Sequence, residues 1–144
     1  MSDAFSEYVA LLDDIEHIAV AASESSRLSP EERTLVMARI LKLVRDRVLP
    51  QSDREEEGLE ALLPGGVAAV AGPLGTSRRT RNRDAIVERI DDLAQVDPRD
   101  EAQVQMLLYR LHAAIAVRRG EAELIFATAS ERERDYVTPY GWFG

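Results

Sequence analysis

The sequence contains no cysteine, which excludes disulfides, zinc–thiolate sites and thiol nucleophiles. Only two histidines occur, His17 and His112, so a Ser-His-Asp relay has almost nothing to draw on, and neither histidine has a plausible nucleophile beside it. Aromatic residues make up 6% of the chain, with a single tryptophan, Trp142. No apolar run approaches the ~18 residues of a membrane span. The opening stretch, MSDAFSEYVALLDDIEH, carries acid where a secretory leader needs a basic flank and a long apolar run. A cytoplasmic protein without a membrane partner is the expectation. Glycine is scarce as well. Gly65, Gly66, Gly72 and Gly75 lie in one connection, and no Lys-Ser or Lys-Thr pair follows them to complete a phosphate loop.

Positive charge is in deficit, with 18 basic against 26 acidic residues and a net charge of -8. That balance opposes phosphate backbones and anionic lipid, so nucleic acid is not an expected partner. One basic segment, residues 78–83, runs against the trend and reads as a solvated helix entry.

What the chain does have is helical periodicity. At 144 residues with 45% apolar content it is long enough for one domain with a true core. Four segments repeat apolar residues at helical spacing. The first carries Tyr8, Leu11, Ile15, Ile18 and Ala22. The second opens on Ser29-Pro30-Glu31-Glu32, where Ser29 can cap, Pro30 suits the first turn and Glu32 closes a capping box. Its core face runs through Val36, Ile40, Val44 and Val48, is kinked at Pro50, and resumes at Leu59 and Leu62. A connection with one short helical piece leads to a third helix from about Ser77, carrying Ile86, Ile90 and Leu93. Asp97-Pro98 is the expected cap of a fourth, with Leu107, Leu111, Ile115, Ala122 and Ile125 inward and Gly120 as an unexplained interruption.

These patterns predict an all-α, antiparallel up-down four-helix bundle over residues 1–129. Residues 130–144 read as a separate non-helical aromatic tail, broken by Pro139 and Gly141 and presenting Tyr140, Trp142 and Phe143 for contact with the bundle or a partner.

Several segments, taken in order, carry a family resemblance. They are Leu12-Asp13-Asp14-Ile15-Glu16-His17-Ile18, then Arg45-Asp46-Arg47-Val48-Leu49-Pro50-Gln51 with Glu55-Glu56 behind it, and then Ile86, Ile90 and Leu93. Last comes Leu107-Leu108-Tyr109-Arg110-Leu111-His112-Ala113, ahead of Glu121. In this order the chain resembles hemerythrin-like cation-binding proteins. The resemblance implies an up-down bundle holding a non-haem di-iron centre that binds or senses oxygen or a related small molecule. Carried over residue by residue, most of the implied ligands are replaced. Asp14, Gln51, Arg83 and Arg118 stand where histidines are implied, and Ala122 where a carboxylate is. Glu55 keeps its carboxylate, and a one-residue shift of the last helix would bring Val117 and Glu121 instead. His17, His112 and Glu121 flank the site.

Iron in such a place needs neutral imidazoles and carboxylates converging on open positions. With those gone, no cofactor and no resident metal is expected. The charges that remain suggest another use of the space. Arg118 is in phase with Leu111 and Ile115, Arg83 with Ile86, and Glu55 with Val48 and Leu59, while Asp14 borders the line through Leu11 and Ile18. Guanidinium groups can substitute for metal cations as counter-charges to Asp14 and Glu55, with Gln51 linking them, since buried charges must be paired. The competing arrangement has both arginines stretching along the surface to water.

The expected function is therefore a non-catalytic binding or regulatory module, taking a small ligand in the space where metal is missing or a protein partner, with a homodimer among the options. The alternative is a metal protein with a carboxylate-rich set, Asp14 and Glu55 beside Gln51 or His17, suited to manganese or non-haem iron in an oxygen or redox role. A ligand site needs an internal pocket of ~300 Å³ or more. An interaction module needs a filled core and an exposed apolar patch.

Overall fold

The structure is a computed structural model that describes the backbone of residues 2–141 and the side chains of residues 13–128 and 131. Within these residues the chain is helical throughout and contains no strand. Helix α1 (Ser2–Glu24) ends in a 3-10 turn, Ser25–Arg27, in which the Ser25 hydroxyl donates back to the carbonyl of Ala22. Helix α2 (Pro30–Leu43) starts on the predicted capping box. The Ser29 hydroxyl accepts from the Glu32 amide, the Glu32 carboxylate accepts from the Ser29 amide, and Pro30 fills the first turn.

Beyond α2 the backbone passes through a π turn, Val44–Val48, directly into α3 (Leu49–Leu62), with right-handed helical angles at Val44, Val48 and Leu49. Pro50 explains this local widening. Proline has no amide hydrogen, and a wider turn absorbs the missing donor while the rod continues. Residues 30–62 thus form one long rod, and four long helices result. The extra residue in the π turn also rotates everything after it. Leu59 is buried as expected, but Leu63 follows it into the core and Leu62 is exposed, correcting the end of the expected core face.

Helix α4 (Ala68–Gln95) begins earlier than the periodicity predicts. A first short piece runs up to Gly72, whose φ of 74° and ψ of 174° break the helix, and Pro73 restarts it. Only glycine takes such angles without strain. Helix α5 (Glu101–Gly141) is capped by Asp100, whose carboxylate accepts from the Gln103 amide; Asp97 instead closes a turn to the Arg99 amide. The predicted non-helical tail is also corrected. The backbone stays helical to Gly141, and Glu131-Arg132-Glu133-Arg134 are strong helix formers. The side chain of Tyr140, and Trp142 and Phe143 altogether, lie outside the described residues.

Helix α5 packs against α4 and α1, while the rod packs through α2 on α4 and through α2 and the π turn on α1. Their shared core holds Ile18, Ile40, Val44, Ile86, Leu93, Leu108 and Leu111, with Val48 and Ile115 at its lower edge. A second, smaller apolar cluster, Leu59, Leu63, Val67, Ala122 and Ile125, forms further along. Each such side chain contributes ~1.5–3 kcal/mol when fully buried. Between the two clusters three helices abandon apolar residues at the same level. The rod goes from Val48 to Leu59 through Ser52 and Glu56, α5 from Ile115 to Ala122 through Arg118, and α4 reaches Ile86 from Arg79. The candidate site lies in that polar layer.

Candidate functional site

Two arginines occupy the layer between the clusters, and both are almost inaccessible. Arg79 is 4% exposed and Arg118 is 5% exposed. A charge so placed needs partners, and most of its donors have them. Arg79 grips Glu56 with two nitrogens: Nε donates to the carboxylate at 3.0 Å, and Nη2 donates to Oε2 in a still closer contact. Arg118 Nε donates to the Ser52 hydroxyl, and its Nη1 donates to the main-chain carbonyl of Arg79 at 2.8 Å. The nearest carboxylate oxygen to Arg118 is again on Glu56, 4.0 Å from Nη2. Two buried guanidinium groups therefore share one carboxylate. Burial is the main reason that the Arg118 pKa is pushed below its ordinary value. The like charge of Arg79 adds to that, and Glu56 and Asp53 only partly offset it.

Around this centre sits a ring of more exposed ion pairs. Arg119 meets Glu55 in a close contact and reaches Glu123 at 3.6 Å. Arg83 forms a two-point pair with Asp53, at 2.8 and 3.0 Å, with both side chains about 40% exposed. Hydrogen bonding from Arg83 is the chief cause of the lowered Asp53 pKa. Arg78 forms an ion pair with Glu121 at 3.0 Å. At the far side of the layer Asp14 is buried, and Arg47 approaches it from solvent at 3.3 Å.

The expected residues are thus present, but they do not converge as predicted. Arg118 is interior, as its phase implies, yet its partners are Ser52, Arg79 and Glu56, not Asp14 or Glu55. Arg83 is displaced to the rim, and Arg79, one turn earlier, holds the inward slot. Gln51 is half-buried and accepts from Arg54 at 2.7 Å rather than from the interior arginines. His17 is exposed and His112 is half-buried. Glu55 and Ala122 do border the layer. Arg79 and Glu56 were missed. Arg79 stands seven residues before Ile86, a two-turn spacing that marks the same helix face, but the run of basic neighbours suggests water. Glu56 is found only by following Val48 and Ser52 in steps of four.

The space left inside is small. The cavity bounded by Ser52, Glu55, Arg79, Arg118, Ile115 and Ala122 measures about 20 Å³, room for one water and no more. A di-iron centre does not fit the side chains present. Among the described residues no three His, Cys, Asp or Glu side chains group so that they could hold a metal ion, and two cationic guanidinium groups project into the layer. Nor is any described helix long and apolar enough to cross a membrane.

Asp14 allows a test of the layer's edge by pH. Burial raises its pKa above the ordinary aspartate value, while Arg47 and then His17 pull it down. An acid with a raised folded pKa stabilises the fold below its unfolded pKa of about 4, and that contribution is lost as pH rises through the folded value. Asp14→Asn, uncharged at every pH, should therefore be slightly more stable than the parent at pH 7 and indistinguishable from it near pH 3.5 in urea titrations. A variant less stable at pH 7 would mean that the Arg47 pair outweighs burial.

Comparison with protein-family models, curated proteins and solved structures finds no match to this chain.

Proposed function

We propose that the chain is an antiparallel up-down bundle of the hemerythrin-like kind in which interior ion pairs take the place of metal, and that it is a non-catalytic binding or regulatory module working by contact with a second copy of itself. The observation that carries this is a closed interior combined with an unpartnered apolar line on the outside of α5. A cavity of about 20 Å³ argues against a small ligand in the core, which needs ~300 Å³ or more. On the outer face, Tyr109, Ala113, Val117, Gly120 and Leu124 recur every three to four residues and are all exposed. Such continuity is uncommon on a surface with no partner.

Gly120 strengthens the case. A glycine in a helix interior costs ~1 kcal/mol relative to alanine, yet a Cβ here would meet nothing within 4 Å. Packing inside the chain gives no reason for it. A second copy gives one, because the line is self-complementary when reversed. It runs large, small, branched, small, large from Tyr109 through Ala113, Val117 and Gly120 to Leu124, with Val117 at its centre. Two antiparallel copies set Tyr109 against Leu124 and Ala113 against Gly120, with the small residues flanking the crossing where the backbones come closest. A two-fold interface has this self-matching character.

Light scattering coupled to size exclusion, over a concentration series, tests the proposal. A dimer that Leu124→Glu converts to a monomer with unchanged helical circular dichroism is the expected result. A parent protein that stays monomeric throughout, or a dimer indifferent to Leu124→Glu combined with Tyr109→Glu, would overturn it.

A further inference from the structure

Two hollows adjoin the apolar line on α5, one toward each end. The first is a shallow groove of about 460 Å³ whose described walls, Met106, Tyr109, Arg110 and Ala113 among them, all belong to α5. The second is an opening of about 210 Å³ between α5 and the start of α4. Val70, Ala71 and Gly75 bound it on one side, and Leu124, Ile125 and Thr128 on the other. Tyr109 and Ala113 thus belong to both the line and the groove, and Leu124 to both the line and the opening. The rim of the opening carries a further apolar group. Leu74 is 84% exposed, the highest value among the large apolar side chains described. It stands one turn before Arg78 and so on the same flank of α4, and Arg78 reaches across to Glu121 of α5. Leu74 therefore lies beside the α5 line on the outer surface.

Pairing Tyr109 with Leu124 and Ala113 with Gly120 of a second copy centres the seam between Ala116 and Val117. Reversal about that centre brings Met106 level with Ala127 and Gln105 level with Thr128, so each copy's groove lies over the other's opening. Arg110 comes level with Glu123, two residues from Glu121, so the seam matches in charge as well as in shape. The α5 line alone is too narrow for a stable pair. Two of its five residues are alanine and glycine, whereas a stable interface buries ~800 Å² on each partner. We propose that the self-association surface extends from α5 onto the start of α4, with Met106 of each copy in the other's α4–α5 opening and Leu74 over the other's groove. This rests on self-association through α5 and supplies the area that the line lacks. Methionine suits the role, because its unbranched side chain adapts to irregular hollows.

The absence of cysteine from the chain makes disulfide trapping a clean test. Full-length protein carrying both Leu74→Cys and Met106→Cys should oxidise to a covalent dimer on a non-reducing gel, while either substitution alone should not. Leu74 lies near the level of Ile125, so within one chain the two positions are ~28 Å apart along α5, and Met106 is ~30 Å along the axis from its own copy. Tyr109→Cys with Leu124→Cys reports on the α5 seam separately. Leu74→Asp, at an exposed position, should leave helical circular dichroism unchanged and weaken the dimer at least ~10-fold, the equivalent of ~1.4 kcal/mol. Trapping through positions 109 and 124 but not through 74 and 106 would overturn the α4 contact and leave the α5 seam standing. Equal trapping in the single-cysteine variants, or a dimer indifferent to Leu74→Asp, would also overturn it. A parent that is monomeric and trapped by neither pair would overturn both readings.

Discussion

Glu56→Gln is expected to be the most damaging single change of charge in this protein, lowering the unfolding free energy by about 3 kcal/mol. The size follows from the two-to-one arrangement at the centre. Arg79 and Arg118 are 4% and 5% exposed, and Glu56 is the carboxylate closest to both. Glutamine has the same shape and can still accept one hydrogen bond, so packing is retained and the charge alone is removed. Two guanidinium groups are then buried together, and the half-exposed Asp53, already paired with Arg83, is left as an anion acting on Arg118. Breaking a buried pair at one partner costs ~3–5 kcal/mol, and the partial exposure of Glu56 puts the effect at the lower end. For a chain of this length the loss corresponds to a fall of roughly 10 °C in the thermal midpoint. Urea titrations of parent and variant check it directly. A difference below ~0.5 kcal/mol, the size of an ordinary surface change, would show that water and the outer carboxylates neutralise the arginines.

Such a site was only half legible in the sequence, and the reason is geometric. Helical period alone located the rows that form the main core: Ile18 and Ala22, Ile40 and Val44, Ile86 and Ile90, Leu107 and Leu111. It also put Arg118 on an inward row, because nothing disturbs the register of α5 between Leu111 and Ile125. The rod was different. One π turn before Pro50 adds a residue to the turn, and every position after it shifts by about a quarter of a revolution. Gln51 turns to Arg54, Glu56 meets Arg79, and Leu62 gives way to Leu63, while Leu59 keeps its buried place. On α4 the error was of another kind. Arg79 and Arg83 both lie on the face of Ile86 and differ by one turn, so period cannot choose between them. Choice falls to partners across the bundle: Glu56 lies level with Arg79, and the half-exposed Asp53 with Arg83. The tail shows the limit of reading proline as a stop, since the helix carries Pro139 in its last turn.

Arg118→Ala is the second large effect, and its mechanism differs from the one that phase alone suggests. If Arg118 were the counter-charge of a buried carboxylate, removing it would strand that carboxylate, at ~3 kcal/mol or more. The structure gives Glu56 to Arg79 instead, so Glu56 keeps its partner when Arg118 is lost, and the repulsion between the two guanidinium groups disappears. What alanine removes is volume and two hydrogen bonds, those to Ser52 and to the Arg79 carbonyl. Truncating a large buried side chain costs ~2–5 kcal/mol through the cavity it leaves, and the relief of charge brings the expected loss to about 2 kcal/mol, within that range. Arg118→Met separates the terms, because methionine refills the space and carries no charge. Replacing a buried ion by an apolar residue of similar size is often neutral or stabilising, so Arg118→Met should lie within about 1 kcal/mol of the parent on either side. The pair of measurements distinguishes two architectures. A methionine variant as damaged as the alanine variant would mean that the Arg118 charge itself holds the layer together. A methionine variant at parental stability, beside a weakened Glu56→Gln, would mean that one carboxylate and Arg79 carry the electrostatics. Arg118 would then fill the space between the two apolar clusters.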